Sequence, residues 1–417
     1  MSFSTLALPD YLIQAIEKLK FKDPTPIQEK AIPVINTGVD IIAQAQTGTG
    51  KTAAFGFPLI QRLSELPPKK KKISVLGLIL VPTRELAIQV DVAIKSYAEF
   101  VERPLKTTTI IGGEARDGQK RVLRMGVDIV IATPGRLLEM IELGEIRLVE
   151  LKMLILDEAD KMLDLGFNDE LNELLENLPK KRQNLLFSAT LPQKVIQLSK
   201  KLLTDPVEVS IDSEEMTVEA IEQRVIRVNL HQRRPLLYQL IKEEEWGQTI
   251  IFVSSKRAAH NLCAKLKRDG LSCEAFHSDL KQDERSKALR KFKNKDVRTL
   301  IATDLAARGI DISKVSHVVN FDLPRSPMDY IHRIGRTGRA GEQGVAISFI
   351  DQNNEAHFKL IEKRAEVKLI AEEIAGFEYV QEAPIKKKGS GPVKGKRKSK
   401  KDKLRDAKRD DNSSNEN

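Results

Sequence analysis

The sequence predicts an α/β fold made of two successive parallel sheets, each covered by helices. Short apolar runs that suit buried strands alternate with segments of helical period along most of the 417 residues. The alternation stops in an acidic, weakly periodic segment between Asp205 and Gln223 and then starts again. A chain of this length is too long for one ordinary domain, and a hydrophobic content of 41% supports a real core. We therefore expect two domains, with a linker inside the acidic segment.

The basic charge of the chain is concentrated at its C-terminal end. The formal net charge is +10, and residues 386–417 carry 13 Lys/Arg against 5 Asp/Glu, so that they account for +8 of it. From Pro384 onward the chain is rich in Lys, Gly and Ser, which is typical of disorder. Such a tail can tether RNA without sequence preference through counterion release. A tail that only improves solubility is the alternative.

Cysteines and apolar segments restrict the cellular setting. Cys263 and Cys273 fit neither a zinc-binding spacing nor a disulfide framework, so we interpret them as reduced thiols. The N-terminus lacks the basic and apolar regions of a signal peptide, and the apolar run at residues 73–81 is too short to span a bilayer. We expect a cytoplasmic protein with no membrane partner.

The apolar run Met153–Leu156 ends in two adjacent carboxylates, Asp157 and Glu158. A buried parallel strand delivers acid groups to the edge of a sheet in this way. One carboxylate can hold Mg²⁺ through water, and its neighbour can orient or deprotonate an attacking water. The structural alternative places both in the acidic first turn of a helix at residues 157–163. A phosphate-binding loop upstream would favour the chemical interpretation.

Such a loop follows the predicted strand Asp40–Ala43. It reads Ala45-Gln46-Thr47-Gly48-Thr49-Gly50-Lys51-Thr52, and a helix is expected from about Ala53. Backbone N–H groups at a helix N-terminus can wrap the β- and γ-phosphates, while Lys51 neutralises them and the Thr52 hydroxyl ligates Mg²⁺. Ala45 stands where the general pattern has its first glycine. The strand–loop–helix order nevertheless predicts a nucleotide site.

An extended segment between Phe21 and Gln28 precedes this loop and contains Pro24 and Pro26. An aromatic ring can stack on adenine, and an amide can pair with the edge of the base. A helix entry stiffened by proline is the plainer alternative. Residues 9–20 are predicted to form a helix with Asp10 as its N-cap.

Three further strand ends in the first half carry Arg, Gly or Thr. One ends in Pro82-Thr83-Arg84, the second in Gly112-Gly113, and the third, Val127–Ala132, in Thr133-Pro134-Gly135-Arg136. Small residues allow a phosphate backbone to approach, and Arg or Thr can bind it. Each could be an ordinary turn. Together, beside a nucleotide loop, they favour a track for nucleic acid.

A strand at Asn184–Phe187 ends in Ser188-Ala189-Thr190. We expect these hydroxyls to bond Asp160 and so to couple the nucleotide site to the track. Ordinary helix capping by Ser188 is the alternative.

The second half repeats the alternation, with strands expected at Thr249–Val253, Cys273–His277, Arg298–Ala302 and Ser316–Phe321. It contains the stretch Thr303–Asp311 and the stretch Tyr330–Arg339, which holds three arginines within seven residues. Arginines spaced by glycines suit reaching across a cleft to the charge of a transition state. An arginine finger contributes about 10³–10⁵ in rate.

In these motifs and their order the chain resembles the DEAD-box ATP-dependent RNA helicases of superfamily 2 over about residues 3–350. Within that family it looks most like the bacterial RhlE-type branch. The resemblance implies two tandem RecA-like domains, with ATP and RNA bound across the cleft between them. We expect a first domain at residues 1–207, a linker at 208–218, a second domain at 219–380 and a basic disordered tail at 381–417.

The resemblance also assigns roles to individual residues. It implies that ATP is bound by Phe21, Gln28, Gln46, Thr47, Gly48, Thr49, Gly50, Lys51, Thr52 and Asp311. It implies that Mg²⁺ is held by Thr52 and Asp157, and that catalysis uses Lys51, Asp157, Glu158, His332, Arg336 and Arg339. RNA-backbone contacts are implied for Arg84, Gly113, Thr133, Arg136 and Thr303, and coupling for Asp160, Ser188 and Thr190.

Two positions depart from the family's usual pattern. Lys20 precedes Phe21 where the family often has glycine, and Ser278 follows His277 where glycine is frequent. Both flank motifs without removing a reacting group, so they bear on loop conformation and not on activity.

The expected activity is RNA-stimulated ATP hydrolysis, coupled to local unwinding of short RNA duplexes as the cleft between the domains closes. An ATP-gated RNA clamp or assembly factor would use the same residues, and a DNA translocase of the same superfamily is a third hypothesis. We expect a monomer with little sequence preference, and with ribosomal or RNA-decay proteins as partners.

Overall fold

The computed structural model describes most of the chain. The described residues are 2–46, 48–66, 75–211, 221–307, 310, 312, 315–338 and 344–381. The predicted tail therefore lies outside them apart from residue 381, as do Thr47, Asp311, Arg339 and most of the predicted linker. None of the helices in the described part is long and apolar enough to cross a membrane.

The N-terminal half forms one sheet of seven parallel strands. The strands are β1 Ile41–Gln44, β2 Gly77–Leu80, β3 Thr107–Ile110, β4 Ile129–Ala132, β5 Met153–Leu156, β6 Gln183–Ser188 and β7 Val207–Ser210. They lie in the order β3-β4-β2-β5-β6-β1-β7. Strands β2, β4 and β5 are buried throughout because helices cover both faces of the sheet.

Nine helices are described in this half. They are α1 Asp10–Lys18, α2 Pro26–Asn36, α3 Lys51–Ser64, α4 Arg84–Tyr97, α5 Arg116–Met125, α6 Pro134–Glu142, α7 Ala159–Asp164, α8 Asn168–Glu176 and α9 Gln193–Leu202. Two hydrophobic clusters pack against opposite faces of the sheet, one around Phe55 and Phe187 and the other around Leu154 and Leu186.

The C-terminal half forms a second parallel sheet of seven strands. The strands are β8 Ile221–Arg227, β9 Thr249–Phe252, β10 Cys273–Phe276, β11 Thr299–Ala302, β12 His317–Asn320, β13 Gly344–Ile350 and β14 Ala371–Glu372. The described helices are α10 Arg233–Glu243, α11 Lys256–Arg268, α12 Gln282–Lys293, α13 Asp304–Ala307, α14 Pro327–Ile334 and α15 Glu355–Ala365. The strand order is β10-β11-β9-β12-β13-β8-β14.

The fold class predicted from the sequence is confirmed, since two parallel sheets covered by helices follow one another along the chain. We call the halves the N-terminal and the C-terminal domain. The predicted strand Met153–Leu156 agrees with β5, and most other predicted strands agree to within a few residues. The sequence missed β8 and β13, which form the most extensive strand pair of the second sheet, with seven residues in register.

Two local predictions were wrong, and the structural alternative of a helix at residues 157–163 is not observed as stated. Pro9, not Asp10, is the N-cap of α1, and Asp10 is the first residue of the helix, where its carboxylate favours the dipole. The helix after the phosphate loop begins at Lys51 and not near Ala53. Residues 157 and 158 precede α7, which begins at Ala159 because Glu158 adopts a left-handed conformation with φ 55°.

Candidate functional site

The loop between β1 and α3 wraps around the N-terminus of the helix. Gly48 and Gly50 have φ angles of 87° and 93°, which favour glycine, and the Thr49 hydroxyl donates to the Gln46 carbonyl over 2.8 Å. Backbone N–H groups at the N-terminus of a helix that follows a glycine-rich loop are the usual donors of a phosphate site. Lys51 and Thr52 are the first two residues of the helix.

Gln28 connects this loop to the segment around Thr25 by two hydrogen bonds. Its Oε1 accepts from the Thr25 N–H at 3.0 Å, and its Nε2 donates to the Gly50 carbonyl at 3.0 Å. A Cβ on Gly50 would lie 2.4 Å from Gln28 Nε2, so glycine is required there for packing as well as for its φ angle. Gln28 therefore lies against the phosphate loop, and its predicted role in binding adenine stays a prediction.

Phe21 is 39% exposed and packs its ring near Phe3 and Tyr97, with centroid distances of 6.5 and 6.4 Å. Lys20, just before it, has φ 58°, and the N–H groups of Lys20 and Phe21 donate to the carbonyls of Glu17 and Ile16. This is a Schellman ending of α1, which favours glycine at the position of Lys20. Lys20, which stands where the family often has glycine, thus has a left-handed backbone conformation.

Two buried carboxylates face the phosphate loop from the end of β5. Lys51 Nζ lies 3.8 Å from Asp157 Oδ1, and all three side chains of Lys51, Asp157 and Glu158 are at most 6% exposed. Burial raises the pKa of Asp157 to about 6, against the opposing effect of Lys51. Lys51 Nζ makes no hydrogen bond within the described part of the chain, which leaves its donors for a phosphate.

Glu158 is held as an anion by charges from both domains. Its Oε1 accepts a 2.6 Å hydrogen bond from Lys161 Nζ. Burial raises the pKa of Glu158, but the positive charges of Lys161, Lys51 and Arg336 outweigh this effect, so that the pKa lies below its ordinary value. Arg336 follows α14 in the C-terminal domain, where its Nη1 donates to the Ile310 carbonyl at 2.7 Å. A group of the second domain thus acts on the carboxylate of the first.

The predicted hydrogen bonds to Asp160 are present. Its N–H donates to Ser188 Oγ at 3.2 Å, and its Oδ2 accepts from both the N–H and the hydroxyl of Thr190, at 3.1 and 2.9 Å. Ser188 does not cap α9, whose N-cap is Pro192. His332 lies nearby on α14. Burial lowers the pKa of His332, and Lys161 adds to that effect.

The Arg333 side chain is bound by partners within its own domain. Arg333 Nη2 donates to Asp304 Oδ2 at 2.7 Å, and its Nη1 donates to Asn320 Oδ1 at 2.9 Å. This side chain joins α14 to α13 and β12 within the C-terminal domain. The cluster of arginines seen in the sequence therefore contains a structural member.

A second site, which we call the arginine cavity, opens between the domains with a volume of about 440 Å³. The N-terminal domain contributes Arg84, Gly112, Thr133 and Arg136, and the C-terminal domain contributes Ser278, Arg285, Leu305 and Ala306. Burial lowers the pKa of Arg84, and the neighbouring charges of Arg285 and Arg136 lower it further. Positive groups gathered in this way suit a phosphate backbone.

Gly113 has φ 83° and lies against Arg84, so that a Cβ there would clash with the guanidinium group.

Arg136 is held by Glu139 Oε2 at 3.0 Å and by the Glu114 carbonyl at 3.2 Å. Thr133 and Thr303 follow β4 and β11 and are both 8% exposed. Thr303 is not among the residues that line the arginine cavity.

A buried ion pair of two residues that line this cavity joins the two domains. Arg285 Nε lies 2.6 Å from Glu85 Oε1, and each side chain is 5% exposed. Gln282 Nε2 donates to the same oxygen at 3.3 Å, and the guanidinium of Arg285 lies 4.4 Å from the centroid of the Phe276 ring. Sequence reasoning missed these residues. Their available signal was the spacing of Gln282 and Arg285, which places them on one face of α12.

Comparison with known proteins agrees with this geometry. The sequence profile of the DEAD/DEAH box helicase family matches residues 25–198, and that of the helicase conserved C-terminal domain matches residues 232–341. The DEAD-box ATP-dependent RNA helicase CshA of Bacillus subtilis is 39% identical over 369 residues, which cover 88% of this chain and 73% of that protein. The ATP-dependent RNA helicase CshA of Limosilactobacillus reuteri is 39% identical, with 89% and 73% covered.

The chain belongs to the DEAD-box family of ATP-dependent RNA helicases. It is thus a helicase of the ATP-hydrolysing class, as predicted from the sequence. The structure of S. cerevisiae Dbp5 bound to RNA and ADP BeF3 is similar over 89% of this chain and 95% of that one, with a TM-score of 0.77 and 34% identity. The two sheets are accordingly tandem RecA-like domains.

The residues that give a DEAD-box helicase its name follow strand β5. Asp157 lies beside Lys51 of the phosphate loop, with Nζ and Oδ1 3.8 Å apart, and Ala159 is the first residue of α7. No group of three or more His, Cys, Asp or Glu side chains that could hold a metal occurs within the described ranges.

Proposed function

We propose that this DEAD-box protein hydrolyses ATP in response to RNA and opens short RNA duplexes locally when its domains close. The observation that carries the proposal is geometric: residues of both domains line the arginine cavity, and the buried ion pair of Arg285 with Glu85 joins the domains there. The positive charge of Arg336, which contributes to the lowered pKa of Glu158, agrees with this arrangement. The hydrolytic site is therefore divided between two domains that also share the arginine cavity. Any ligand that favours domain closure would complete both sites together.

ATP would bind at the phosphate loop of the N-terminal domain. Backbone groups of Gln46, Thr47, Gly48, Thr49 and Gly50 would surround the phosphates. Lys51 would neutralise them, because its buried ammonium group has its donors available. Phe21 would stack on the adenine, and Gln28 would use the amide hydrogen that is not donated to Gly50. Asp311 would contact the ribose.

Thr52 and Asp157 fit a role in holding Mg²⁺. A hydroxyl and a carboxylate are oxygen ligands of the kind that Mg²⁺ prefers, and Asp157 is buried beside Lys51 at the point where phosphates would lie. When bound, the ion would neutralise charge on the β- and γ-phosphates.

Glu158 would act on the attacking water. Its lowered pKa keeps it ionised at neutral pH, and Lys161 fixes one of its oxygens. Such a carboxylate can orient a water molecule and accept its proton. Arg336 and Arg339 would then stabilise the charge that develops on the transferred phosphoryl group.

RNA would lie along the arginine cavity, with backbone contacts from Arg84, Thr133 and Arg136 at the cavity and from Gly113 and Thr303 outside its lining. Contacts to phosphate and sugar carry no base information, so little sequence preference is expected. A bent single strand that fits the closed cleft would be separated from its partner. Since a base-pair step in DNA is worth about 1.4 kcal/mol on average, closure could open a few steps of a duplex.

The nucleotide and RNA sites would communicate through Asp160, Ser188, Thr190 and His332. The hydrogen bonds of Asp160 to Ser188 and Thr190 connect α7 to the end of β6. His332, kept neutral by burial, approaches the same place from the C-terminal domain.

Strand displacement tests this proposal against its alternatives. We expect the wild-type protein to release the displaced strand of a short RNA duplex when ATP is added. An RNA clamp would retain RNA with an ATP analogue and release little strand. A DNA translocase would show equal ATPase stimulation by matched DNA and RNA oligonucleotides.

Glu158→Gln tests the chemistry within the same assays. The amide cannot take a proton, so turnover should fall by about 10²–10⁴-fold while ATP binding remains, and the protein should be trapped on RNA. Glu142→Gln, an exposed carboxylate at the end of α6, is the matched control. Full RNA-stimulated turnover by Glu158→Gln would overturn the role of this residue.

We propose domain limits at residues 1–207 and 219–380 with a linker at 208–218, although β7 extends the first sheet to Ser210. The RhlE-type branch stays a prediction, and the curated relatives named above are CshA proteins. A monomeric, cytoplasmic protein with ribosomal or RNA-decay partners is likewise proposed.

A further inference from the structure

Cys263 and Cys273 form a close pair of buried thiols in the C-terminal domain, and neither is among the residues assigned to ATP or RNA. Cys263 lies on α11 and Cys273 on the neighbouring strand β10, and their Sγ atoms are 3.4 Å apart. The sulfur–sulfur distance in a disulfide is about 2.05 Å, so small side-chain rotations could close the gap. No other cysteine occurs in the chain.

The two thiols differ in their access to solvent. Cys263 is one of the residues that line a cavity of about 410 Å³, together with His260, Lys267 and Glu274, whereas Cys273 does not line it and is 1% exposed. A small oxidant entering the cavity would therefore meet Cys263 first.

The surroundings of Cys263 also favour its thiolate. The hydrogen bond from Cys273 lowers the pKa of Cys263 against the effect of burial, and Lys267, one helical turn further on, lowers it as well. The pKa of Cys273 is raised by its hydrogen bond to Cys263 and by burial. Cys263 therefore loses its proton more readily than Cys273, as expected for an attacking cysteine next to a resolving one.

We propose that Cys263 and Cys273 are a redox-active pair that a hydroperoxide converts into an intramolecular disulfide. The thiolate of Cys263 attacks one peroxide oxygen, the O–O bond breaks, and the leaving hydroxide is protonated to water. The sulfur of Cys273 then attacks the sulfenic acid on Cys263, the S–O bond breaks, a second water leaves, and the S–S bond forms. Two thiols and one hydrogen peroxide thus yield one disulfide and two waters.

Intact-mass analysis of the full chain tests this step. The reduced protein is treated with hydrogen peroxide, quenched with catalase, unfolded and alkylated with N-ethylmaleimide. We expect the loss of both maleimide labels and of two hydrogen atoms from a monomeric chain, with both labels restored by dithiothreitol. Retention of both labels, addition of oxygen without the loss of hydrogen, or disulfide-linked dimers would overturn the proposal.

Single substitutions test the order of attack. Cys273→Ser leaves Cys263 without a resolving partner, so its sulfenic acid should accumulate and react with dimedone. Cys263→Ser retains only the less accessible thiol and should give little dimedone product. Equal labelling of the two variants would contradict the assignment of Cys263 as the attacking thiol. The wild-type mass measurement needs neither variant, so it decides the proposal even if a serine variant fails to fold.

Discussion

The two domains share one strand order but differ in what their strand ends carry. Subtracting seven from each strand number of the second sheet reproduces the order of the first, 3-4-2-5-6-1-7. After β1 the chain forms the loop with Gly48 and Gly50, whereas after the equivalent strand β8 it continues through Val228 and Asn229 without a glycine. Topology therefore determines where functional groups can gather, and the sequence of each loop determines what chemistry they can do.

Other equivalent positions sharpen this contrast. Strand β5 ends in the carboxylates of the nucleotide site, but the carboxylate after the equivalent strand β12, Asp322, accepts from the Ser254 N–H at 2.7 Å and so serves structure. Thr133 and Thr303, in contrast, follow equivalent strands and make similar backbone hydrogen bonds. Their N–H groups donate to the carbonyls of Ile110 and Phe276 at 3.2 and 3.3 Å. The domains are thus unlike at the nucleotide edge and alike at these two threonines.

Removing the ammonium group of Lys51 should have the largest effect, because it acts where the domains differ most. Lys51→Ala should abolish ATP hydrolysis and weaken ATP binding by about 10²–10⁴-fold, since two charge-assisted hydrogen bonds of about 1.5–3 kcal/mol each would be lost. Equilibrium binding of a fluorescent ATP analogue measures this.

Lys18→Ala is the matched control for Lys51→Ala. Lys18 ends α1 in the same domain, and its side chain is 56% exposed in an ion pair with Glu99. Exposed pairs contribute about 0–1 kcal/mol, so ATP affinity should not change. Equal affinity in the wild-type protein and Lys51→Ala would contradict the assignment of the phosphate site.

The ion pair between Glu85 and Arg285 tests whether the domains act as one unit. Arg285→Gln or Glu85→Gln should raise the RNA concentration needed for half-maximal ATPase by about 10- to 100-fold, because a buried charge left without its partner costs about 1–3 kcal/mol. In the double variant, the RNA concentration needed for half-maximal ATPase should rise by much less than the product of the two single increases.

Lys256→Ala provides the comparison, since its pair with Asp279 lies on the surface of the same domain as Arg285. Additive losses in the Glu85 and Arg285 double variant would mean that the pair does not contribute to closure.

Much of the local structure of the proposed nucleotide site could be predicted from the sequence because its parts are local. The loop up to Thr52 and the carboxylates after β5 are short motifs whose neighbours along the chain determine their geometry. Glu85 and Arg285 lie two hundred residues apart, and no local pattern indicates that they meet. The structural role of Arg333 could not be predicted either, because its partners Asp304 and Asn320 lie elsewhere in the sequence.

Lys20→Gly should give the smallest effect, a gain of about 1 kcal/mol in the free energy of unfolding. The substitution removes the steric cost of the left-handed conformation at φ 58°. Part of this gain in stability is offset because glycine increases the entropy of the unfolded chain. Glu366→Gly makes the matched change after α15 in the C-terminal domain, at φ 55°. Urea unfolding measures both, and a loss of stability in either variant would contradict the account of these helix ends.

The most direct test of the divided active site is single-turnover ATP hydrolysis by Arg336→Ala with saturating RNA. The rate should fall by about 10³–10⁵-fold, because the arginine of the C-terminal domain would stabilise the transition state formed in the N-terminal domain. ATP affinity without RNA should stay unchanged, and Arg325→Ala, an exposed arginine of the same domain, should behave as wild type. A hydrolysis rate for Arg336→Ala within about tenfold of wild type would contradict the division of the site.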